Sequence, residues 1–310
     1  MLIITGTIAY DYIMDFPGKF ADHILPEQLH KINLSFIVSN FAKRRGGTAG
    51  NTSYSLGLLK TPHILFSAAG KDFPEYAKEF KKFKIDTSSV LIDKTNYTST
   101  GFAMADKIHN QIWGYFYGAS EKIAGLKLSE VAKKGDLVFI GPSGAAGSMN
   151  FINQCIEKKL DYMFDPAFIL TQVAKPDLKK GLTSAKIVIG NDYEIKLMES
   201  MCETFTENNK SQIVIKTLGA KGAIIYDHGQ DLKIKPCIAK EVVDPTGAGD
   251  AWRAGFLSGL TKGFDLKICG QMGAVAGAYA VENYGGQEHT YTIEEFKKRY
   301  LKTYGHLLNW

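Results

Sequence analysis

Cysteine is scarce in this sequence, and the four cysteines lie far apart. Cys155, Cys202, Cys237 and Cys269 form no CxxC pair. Their spacing therefore favours neither a zinc site nor a dithiol redox motif. Free thiols in a reducing compartment are the simplest interpretation.

Long apolar runs are also absent. No stretch of the sequence reaches the roughly 18 apolar residues that a membrane span needs. The start of the chain, from Met1 to Gly6, carries no basic leader. We therefore expect a soluble, cytoplasmic protein that has no membrane partner.

Basic residues never occur in a run of five or more, although the formal net charge is +5. Short basic clusters such as Lys43-Arg44-Arg45 are typical of solvated surface charge. The sequence therefore indicates no nucleic-acid partner. The mild positive charge suits a protein that handles anionic substrates.

Two common phosphate-binding motifs are missing as well. The sequence contains no G-x-x-x-x-G-K-[ST], and no G-x-G-x-x-G follows the first predicted strand. A Walker-type P-loop and the nicotinamide Rossmann fingerprint are thus excluded. Any bound phosphate must be held by a different glycine-rich element.

What is present indicates a globular α/β protein. The 310 residues are 45% hydrophobic, and 31 glycines against nine prolines indicate many tight turns. This length is as consistent with one large domain as with two. From residue 120 onwards, short apolar runs alternate with helical patterns, which favours a mostly parallel sheet covered on both faces. Strands are predicted at 137–140, 162–164, 187–189 and 213–216, and helices around 148–160, 191–201, 248–262, 266–283 and 292–303.

Two earlier segments have a different character. Residues 12–45 are rich in aromatic side chains and show little helical period, and residues 95–119 alternate as strands do, with a predicted turn at 106–110. We interpret both segments as short strands and loops outside the main core.

The stretch Asp244-Pro245-Thr246-Gly247-Ala248-Gly249-Asp250 is the strongest candidate for a site. It leads into a predicted helix, so the N–H groups of Gly247, Ala248 and Gly249 lie at the positive end of the helix dipole and suit an anion. The carboxylate of Asp250 suits a proton acceptor. We interpret the stretch as the centre of a phosphoryl-transfer site with Asp250 as its base. A helix entry also favours the ionised form, so a low pKa is expected for Asp250.

Other polar and glycine-rich clusters follow predicted strands, where open α/β sheets bind their ligands. The clusters are Asp11, Gly46-Gly47 with Asn51, Asp165, Asn191 with Glu194, and the loop 217–222. Each also has a purely structural interpretation. Asp11 and Gly46-Gly47 suit turns, Asn191 with Glu194 matches a capping box, and 217–222 suits a hairpin loop.

Taken in order, these motifs make the sequence resemble the ribokinase family, the PfkB-type carbohydrate and purine kinases. The late family signature D-x-[TS]-G-A-G-D matches residues 244–250, and G-G-x-x-x-N matches residues 46–51. N-x-x-E matches Asn191 and Glu194, and T-x-G-x-x-G matches residues 217–222. The matches span nearly the whole chain, which makes the resemblance specific.

The resemblance implies one ribokinase-like, three-layer α/β/α domain over residues 1–310. Its central sheet would be mostly parallel, with a small β lid contributed by about 12–45 and 95–119. It also implies ATP-dependent phosphorylation of a hydroxymethyl group. Asp250 would be the base, and the N–H groups of Gly247, Ala248 and Gly249 would form the anion hole.

The resemblance further implies where the ligands bind. The acceptor would contact Asp11, Gly46, Gly47 and Asn51, and ATP would contact Asn191, Glu194, Thr217, Gly219 and Gly222. Glu194 would hold Mg²⁺ through water, and a monovalent cation such as K⁺ would bind near Asp244. Either a monomer or a homodimer is consistent with the family.

The acceptor is expected to be a nucleoside, with adenosine first. A flat base gains from an aromatic wall, and the predicted lid is rich in aromatic side chains; Phe116 is included among the acceptor-binding residues. The alternatives are a sugar kinase acting on ribose or fructose, and a non-catalytic ligand-binding member of the family.

Overall fold

An eight-stranded sheet forms the centre of the computed structural model, which describes residues 1–24, 31, 33–108, 110–208 and 210–310. The strand order is β14-β13-β12-β11-β10-β9-β1-β4. The strands from β12 to β4 are parallel, and β13 and β14 pair antiparallel at one edge. The strands are β1 (Leu2–Thr5), β2 (Ala9–Asp15), β3 (Asn40–Gly46), β4 (Ile64–Leu65), β5 (Ser67–Gly70), β6 (Val90–Asp93), β7 (Ser99–Ala105), β8 (Gln111–Phe116), β9 (Leu137–Ile140), β10 (Asp161–Phe164), β11 (Ile187–Asn191), β12 (Ile213–Thr217), β13 (Ala223–Asp227) and β14 (Gln230–Ile234).

Helices cover both faces of this sheet, so the predicted mostly parallel, three-layer arrangement is confirmed. Because side chains alternate along a strand, Ile4 joins the core on one face with Phe256, whereas Ile3 joins the other core with Phe151. Burial of each such side chain contributes about 1.5–3 kcal/mol to the free energy of unfolding. The helices are α1 (Thr48–Leu58), α2 (Phe73–Lys82), α3 (Gly144–Lys158), α4 (Lys175–Ser184), α5 (Asp192–Met201), α6 (Ala248–Thr261), α7 (Leu266–Val281) and α8 (Ile293–Tyr304).

The contact between α6 and α7 sets the position of the helix that follows the glycine-rich stretch. A Cβ on Gly255 would lie 2.5 Å from the carbonyl oxygen of Met272 and 2.7 Å from the Cα of Gly273. Backbone therefore packs directly on backbone at this crossing. The middle of α6 is therefore packed closely against α7.

A second sheet lies beside the first and contains four strands in the order β3-β2-β7-β8. Its two outer pairs are antiparallel, and β2 and β7 are parallel. These strands occupy parts of the two segments that were expected to form a lid. Residues 25–30, 32 and 109, which belong to those segments and to the predicted turn, lie outside the described residues.

One helix and one strand hairpin of the larger sheet and its cover were not expected from the sequence pattern. Helix α4 lies between β10 and β11, and β13 and β14 form a hairpin that extends the sheet. The loop 217–222 joins the antiparallel strands β12 and β13, as its hairpin interpretation predicted. Within the described ranges, no helix is long and apolar enough to cross a membrane. All four cysteines are buried and free.

Candidate active site

The candidate base Asp250 lies in the first turn of α6, at the edge where the parallel strands end. Its Oδ2 accepts a hydrogen bond of 2.8 Å from Nδ2 of Asn51, which belongs to the first turns of α1. Two residues 199 positions apart in sequence are thereby joined.

Gln287 fixes the orientation of the Asn51 amide. Its Nε2 donates to Oδ1 of Asn51 over 2.9 Å and also contacts the hydroxyl of Tyr76. Because Oδ1 of Asn51 is used as an acceptor, its Nδ2 points at Asp250. Gln287 was not among the predicted site residues, although it lies two positions after Gly285 in a glycine-rich loop.

The expectation of a low pKa for Asp250 is wrong for this structure. Burial raises the pKa of Asp250, while the nearby guanidinium of Arg253 and the hydrogen bond from Asn51 act in the opposite direction. Desolvation of the carboxylate outweighs the stabilisation that a helix entry supplies. A raised pKa makes this carboxylate a stronger proton acceptor than a solvated one.

The start of α6 has the free donors that an anion hole needs. Gly247 adopts a left-handed conformation (φ 76°) and precedes the helix, and the N–H of Ala248 donates to the carbonyl oxygen of Pro245 over 3.2 Å. Within the described part of the chain, no backbone carbonyl accepts from the N–H groups of Gly247 or Gly249. Two N–H donors at the positive end of a helix are therefore available to an anion.

Asp11 lies on β2, close enough to Asp250 for the two carboxylates to affect each other's charge. A Cβ on Gly46, which pairs near it on β3, would overlap Oδ2 of Asp11, so only glycine leaves room for this carboxylate. Burial, followed by the negative charges of Asp250 and Asp244, raises the pKa of Asp11 to about 6. Next to Gly46, Gly47 has φ 84° and begins the turn into α1.

Two aromatic side chains share the face of the second sheet that carries Asp11. Asp11 pairs with Gly101, which pairs with Tyr115. A Cβ on Gly101 would lie 2.7 Å from Oδ1 of Asp11 and 3.0 Å from the indole ring of Trp113. Trp113 and Tyr115 are about half exposed, at 51% and 42%. The carboxylate of Asp11 and the indole ring of Trp113 therefore both lie close to Gly101, which has no side chain to separate them.

Phe116, the aromatic residue included among the predicted acceptor contacts, occupies a different position. It pairs with Thr100 on β7, which is one residue out of phase with Gly101. Successive side chains of a strand point to opposite faces, so Phe116 lies on the face opposite to Asp11. The prediction that Phe116 contacts the acceptor does not take this alternation of side chains into account.

Asn191 and Glu194 form a capping box at the start of α5. The Asn191 side chain accepts from the N–H of Glu194 over 2.8 Å, and Glu194 Oε2 accepts from the N–H of Asn191 over 2.7 Å. The negative charge of Glu194 nevertheless acts on both Asp165 and Asp250. The pair is thus a helix cap that also lies close to the candidate site.

The loop 217–222 lies next to this cap. Thr217 pairs with Asn191 across β12 and β11, and its hydroxyl donates to the carbonyl oxygen of Gly190 over 3.4 Å. Gly219 and Gly222 both have positive φ angles, of 56° and 92°. The loop places a bare backbone beside the N-terminus of α5.

No preformed metal cage is found in the described ranges, since no group of three or more His, Cys, Asp or Glu residues is placed to hold an ion. Mg²⁺ is commonly held by one or two carboxylates together with water and substrate phosphates. The carboxylate of Glu194 beside the candidate phosphate site fits that mode of binding.

A buried ion pair that was not predicted joins Arg253 and Asp165. Nε of Arg253, on α6, is 2.6 Å from Oδ2 of Asp165, which follows β10. The sequence did carry a signal, because Arg253 is the one basic residue of a mostly apolar helix. Such residues are rarely buried unless they are paired.

Comparison with known proteins identifies relatives over the full chain. A model of the pfkB family carbohydrate kinases matches residues 10–293. A nucleoside kinase from Methanothermobacter thermautotrophicus is 29% identical over 98% of this chain and 97% of its own length. A nucleoside kinase from Methanocaldococcus jannaschii is 30% identical over 96% of this chain and 95% of its own.

Solved structures give the same result. The M. jannaschii nucleoside kinase, described as an archaeal member of the ribokinase family, superimposes with a TM-score of 0.85 and 27% identity over 97% of this chain and 98% of its own. A nucleoside kinase from Burkholderia thailandensis in complex with inosine superimposes with a TM-score of 0.88 and 29% identity over 99% of both chains.

Proposed function

Since this chain belongs to the pfkB family of carbohydrate kinases and has the ribokinase-like fold, we propose that it transfers the γ-phosphoryl group of ATP to the 5′-hydroxyl of a nucleoside. As a member of this family it is a phosphotransferase that acts on a hydroxyl group.

The observation that carries the nucleoside assignment is the pair formed by Asp11 and Trp113. The ionised carboxylate accepts hydrogen bonds from ribose hydroxyls, and the adjacent indole offers a flat apolar wall for a base. A free sugar lacks the flat base that would stack on this wall. The complex of the B. thailandensis relative with inosine supports the same class of acceptor.

In the proposed reaction, Asp250 accepts the proton of the 5′-hydroxyl as that oxygen bonds to phosphorus. Asn51 holds the carboxylate in place through its 2.8 Å hydrogen bond. The free N–H groups of Gly247 and Gly249, with Ala248 between them, stabilise the negative charge on the transferring group. Gly46 and Gly47 border the acceptor. Phe116, on the opposite face of the small sheet, is a more distant candidate for contact with the acceptor.

ATP is proposed to bind along the edge that carries Asn191, Glu194 and the loop 217–222, where Thr217, Gly219 and Gly222 contact the nucleotide. The B. thailandensis relative has also been solved as a complex with ADP and inosine, which supports ATP as the donor. Mg²⁺, held by Glu194 through water and by the ATP phosphates, would supply charge neutralisation. We also propose that K⁺ binds near Asp244 and that the protein is cytoplasmic.

Adenosine is the first expected acceptor. The test is ADP release measured with adenosine, inosine, cytidine, ribose and fructose at matched concentrations. We expect turnover with at least one nucleoside and kcat/KM values at least tenfold lower with both free sugars. The reason is that stacking on Trp113 and Tyr115 stabilises the transition state only when the acceptor carries a base. A Trp113→Ala variant should raise KM for the nucleoside.

Turnover with the free sugars alone would contradict the nucleoside assignment and favour a sugar kinase. Ligand binding without any turnover would favour the non-catalytic alternative. The latter is disfavoured by the intact site, in which Asp250, its Asn51 support and the two free N–H groups are all in place.

A further inference from the structure

The buried guanidinium of Arg253 lies against the start of the helix that carries Asp250. Helical side chains lean toward the N-terminus of their own helix, and that of Arg253 folds back over Gly249. A Cβ on Gly249 would be only 2.5 Å from Nη1 of Arg253. The missing side chain at residue 249 is therefore the space that the guanidinium fills.

Three carboxylates surround this cation. Asp165 forms the ion pair with Nε, and the charges of Asp250 and Glu194 also act on Arg253. One of these groups is the proposed base, and another belongs to the proposed nucleotide site. Arg253 therefore lies between the position of the acceptor hydroxyl and that of the ATP phosphates.

The ion pair is incompletely satisfied by the protein. Asp165 is 1% exposed, and its Oδ1 has no hydrogen-bond partner in the part of the chain that the structure describes. Arg253 is 9% exposed. Among the described residues, Nε of Arg253 also has no hydrogen bond of good geometry, although it lies 2.6 Å from Oδ2 of Asp165. A nearly buried guanidinium whose ion pair is incomplete requires an explanation, and a ligand that completes its hydrogen bonds is one.

A purely structural role explains these contacts less well. Buried ion pairs contribute little net stability, because removing both charges from water costs as much as their attraction gains. An apolar pair of the same volume would fill the space beside α6. What an apolar pair could not provide is a planar set of N–H donors that matches the oxygens of a phosphoryl group.

We infer that Arg253 is a further catalytic residue, which donates hydrogen bonds from its terminal nitrogens to the γ-phosphoryl group, and that Asp165 is the positioning residue that holds it. The inference rests on the proposed phosphoryl transfer. The 5′-oxygen bonds to phosphorus, the bond from phosphorus to the β-γ bridging oxygen breaks, and ADP leaves. The hydroxyl proton passes to Asp250, and Arg253 keeps its own protons throughout.

Nucleotide binding separates this inference from the proposed function, because it needs no acceptor. The dissociation constants of ADP and of the non-hydrolysable analogue AMP-PNP are measured by calorimetry for wild type, Arg253→Lys and Arg253→Gln. We expect affinity for ADP to change less than threefold in both variants. We expect affinity for AMP-PNP to fall about tenfold in Arg253→Gln and less in Arg253→Lys, which keeps the charge but loses the planar fork.

Turnover provides the second measurement. With the best acceptor, kcat is expected to fall about 10³-fold in Arg253→Gln, in the range measured for arginines that contact a transferring phosphoryl group. A loss of at least tenfold is expected in Arg253→Lys. Asp165→Asn should lower kcat less than Arg253→Gln, because the guanidinium remains but is less well held.

Should Arg253→Gln fail to fold, Arg253→Lys decides, since it retains the pairing with Asp165. A folded Arg253→Lys variant with wild-type kcat and wild-type AMP-PNP affinity would overturn the inference. Equal losses of ADP and AMP-PNP affinity would also overturn it, because they would indicate a structural role. If wild type turns over no nucleoside, the proposed function fails, and the comparison of the two nucleotides still tests Arg253.

Discussion

Asn51 connects the two helices that meet at the candidate site. Its amide donates to Asp250 on α6 and accepts from Gln287, so both ends of one side chain are occupied by specific partners. The amide cannot rotate without breaking both hydrogen bonds. The carboxylate of Asp250 is therefore held in one orientation before any ligand binds, which is the condition for efficient proton transfer.

Asp250→Asn is expected to slow phosphorylation strongly and to preserve nucleotide binding. The amide keeps the size of the carboxylate but cannot accept the hydroxyl proton, so kcat should fall by about 10²–10⁴-fold. Steady-state kinetics and ADP calorimetry measure the two effects. Asp265→Asn is a matched control, because Asp265 caps α7 through the N–H of Ile268 and asparagine caps equally well. Near-normal turnover by Asp250→Asn would refute its role as the base.

The pKa of about 6 for Asp11 predicts a pH dependence of acceptor binding. The folded chain holds the proton more tightly than a free aspartic acid, so ionised Asp11 forms only as the pH rises through about 6. Between about pH 4 and 6 the native state binds more protons than the unfolded state, and the free energy of unfolding falls as the pH rises. Substrate hydroxyls donate to the ionised carboxylate, so acceptor binding should strengthen over the same range.

The measurement is kcat/KM for the acceptor at saturating ATP from pH 5 to 8. We expect wild-type values to decline below about pH 6. Asp11→Asn should be about 10–100-fold less active at pH 8, because a hydrogen bond to a charged group is lost, and its decline near pH 6 should disappear. An unchanged acid limb in Asp11→Asn would assign that limb to another group.

For individual residues, sequence motifs predicted which side chains lie together in the site, but not the direction in which the pKa of a carboxylate is shifted. Asp250 and Asn51 were recognised from local motifs, and their hydrogen bond is present. The direction of the Asp250 pKa shift was predicted wrongly, because desolvation depends on how distant segments pack around a carboxylate. Arg253 was missed for the same reason, since its partner Asp165 comes from another element.

Helix α6 is the element on which the site depends, and its contact with α7 predicts a stability effect. A Cβ in Gly255→Ala would meet backbone atoms of Met272 and Gly273, which cannot move aside as a side chain could. Overpacking of this kind costs about 1–3 kcal/mol, and alanine regains up to about 1 kcal/mol as a better helix former. We expect a net loss of about 1–2 kcal/mol in the free energy of unfolding.

Urea unfolding of both Gly255→Ala and Gly125→Ala checks this expectation. Gly125 is the matched control, because nothing lies within 4 Å of a Cβ at that position and its φ is not positive. The free energy of unfolding of Gly125→Ala should match that of wild type within about 0.5 kcal/mol. A Gly255→Ala variant as stable as Gly125→Ala would show that the two helices are not closely packed there.

Elements with strong periodicity were predictable, and those stabilised mainly by packing were not. Strands β9 to β12 are short and mostly apolar, and they were confirmed at nearly the expected bounds. Helix α4 is mostly polar and contains Gly181, so its local signal is weak. Gly181 instead lets α4 approach Phe164 and Ile152 closely. The face on which Phe116 lies depends on strand register, which the aromatic content of a segment does not determine.

For the whole molecule, the candidate site spans two sheets. Asp11 belongs to the four-stranded sheet, whereas Asp250 and Asn51 belong to helices packed on the eight-stranded one. Only the short segment between Thr5 and Ala9 separates the strands β1 and β2 of the two sheets. Alternation of strands and helices predicted the larger sheet from the sequence. The strand order of the smaller sheet was not predictable, because its partners come from distant segments.

The burial of all four thiols gives this chain a practical property. Thiol reagents attack accessible thiolates, so a maleimide dye will find no exposed native cysteine on the folded protein. One cysteine introduced at Phe102, on the small sheet, and another at Tyr193, on α5, would both be accessible, since these side chains are 46% and 71% exposed. Fluorescence transfer between two dyes attached there would follow the separation of the two sheets during a catalytic cycle, without removal of any native cysteine.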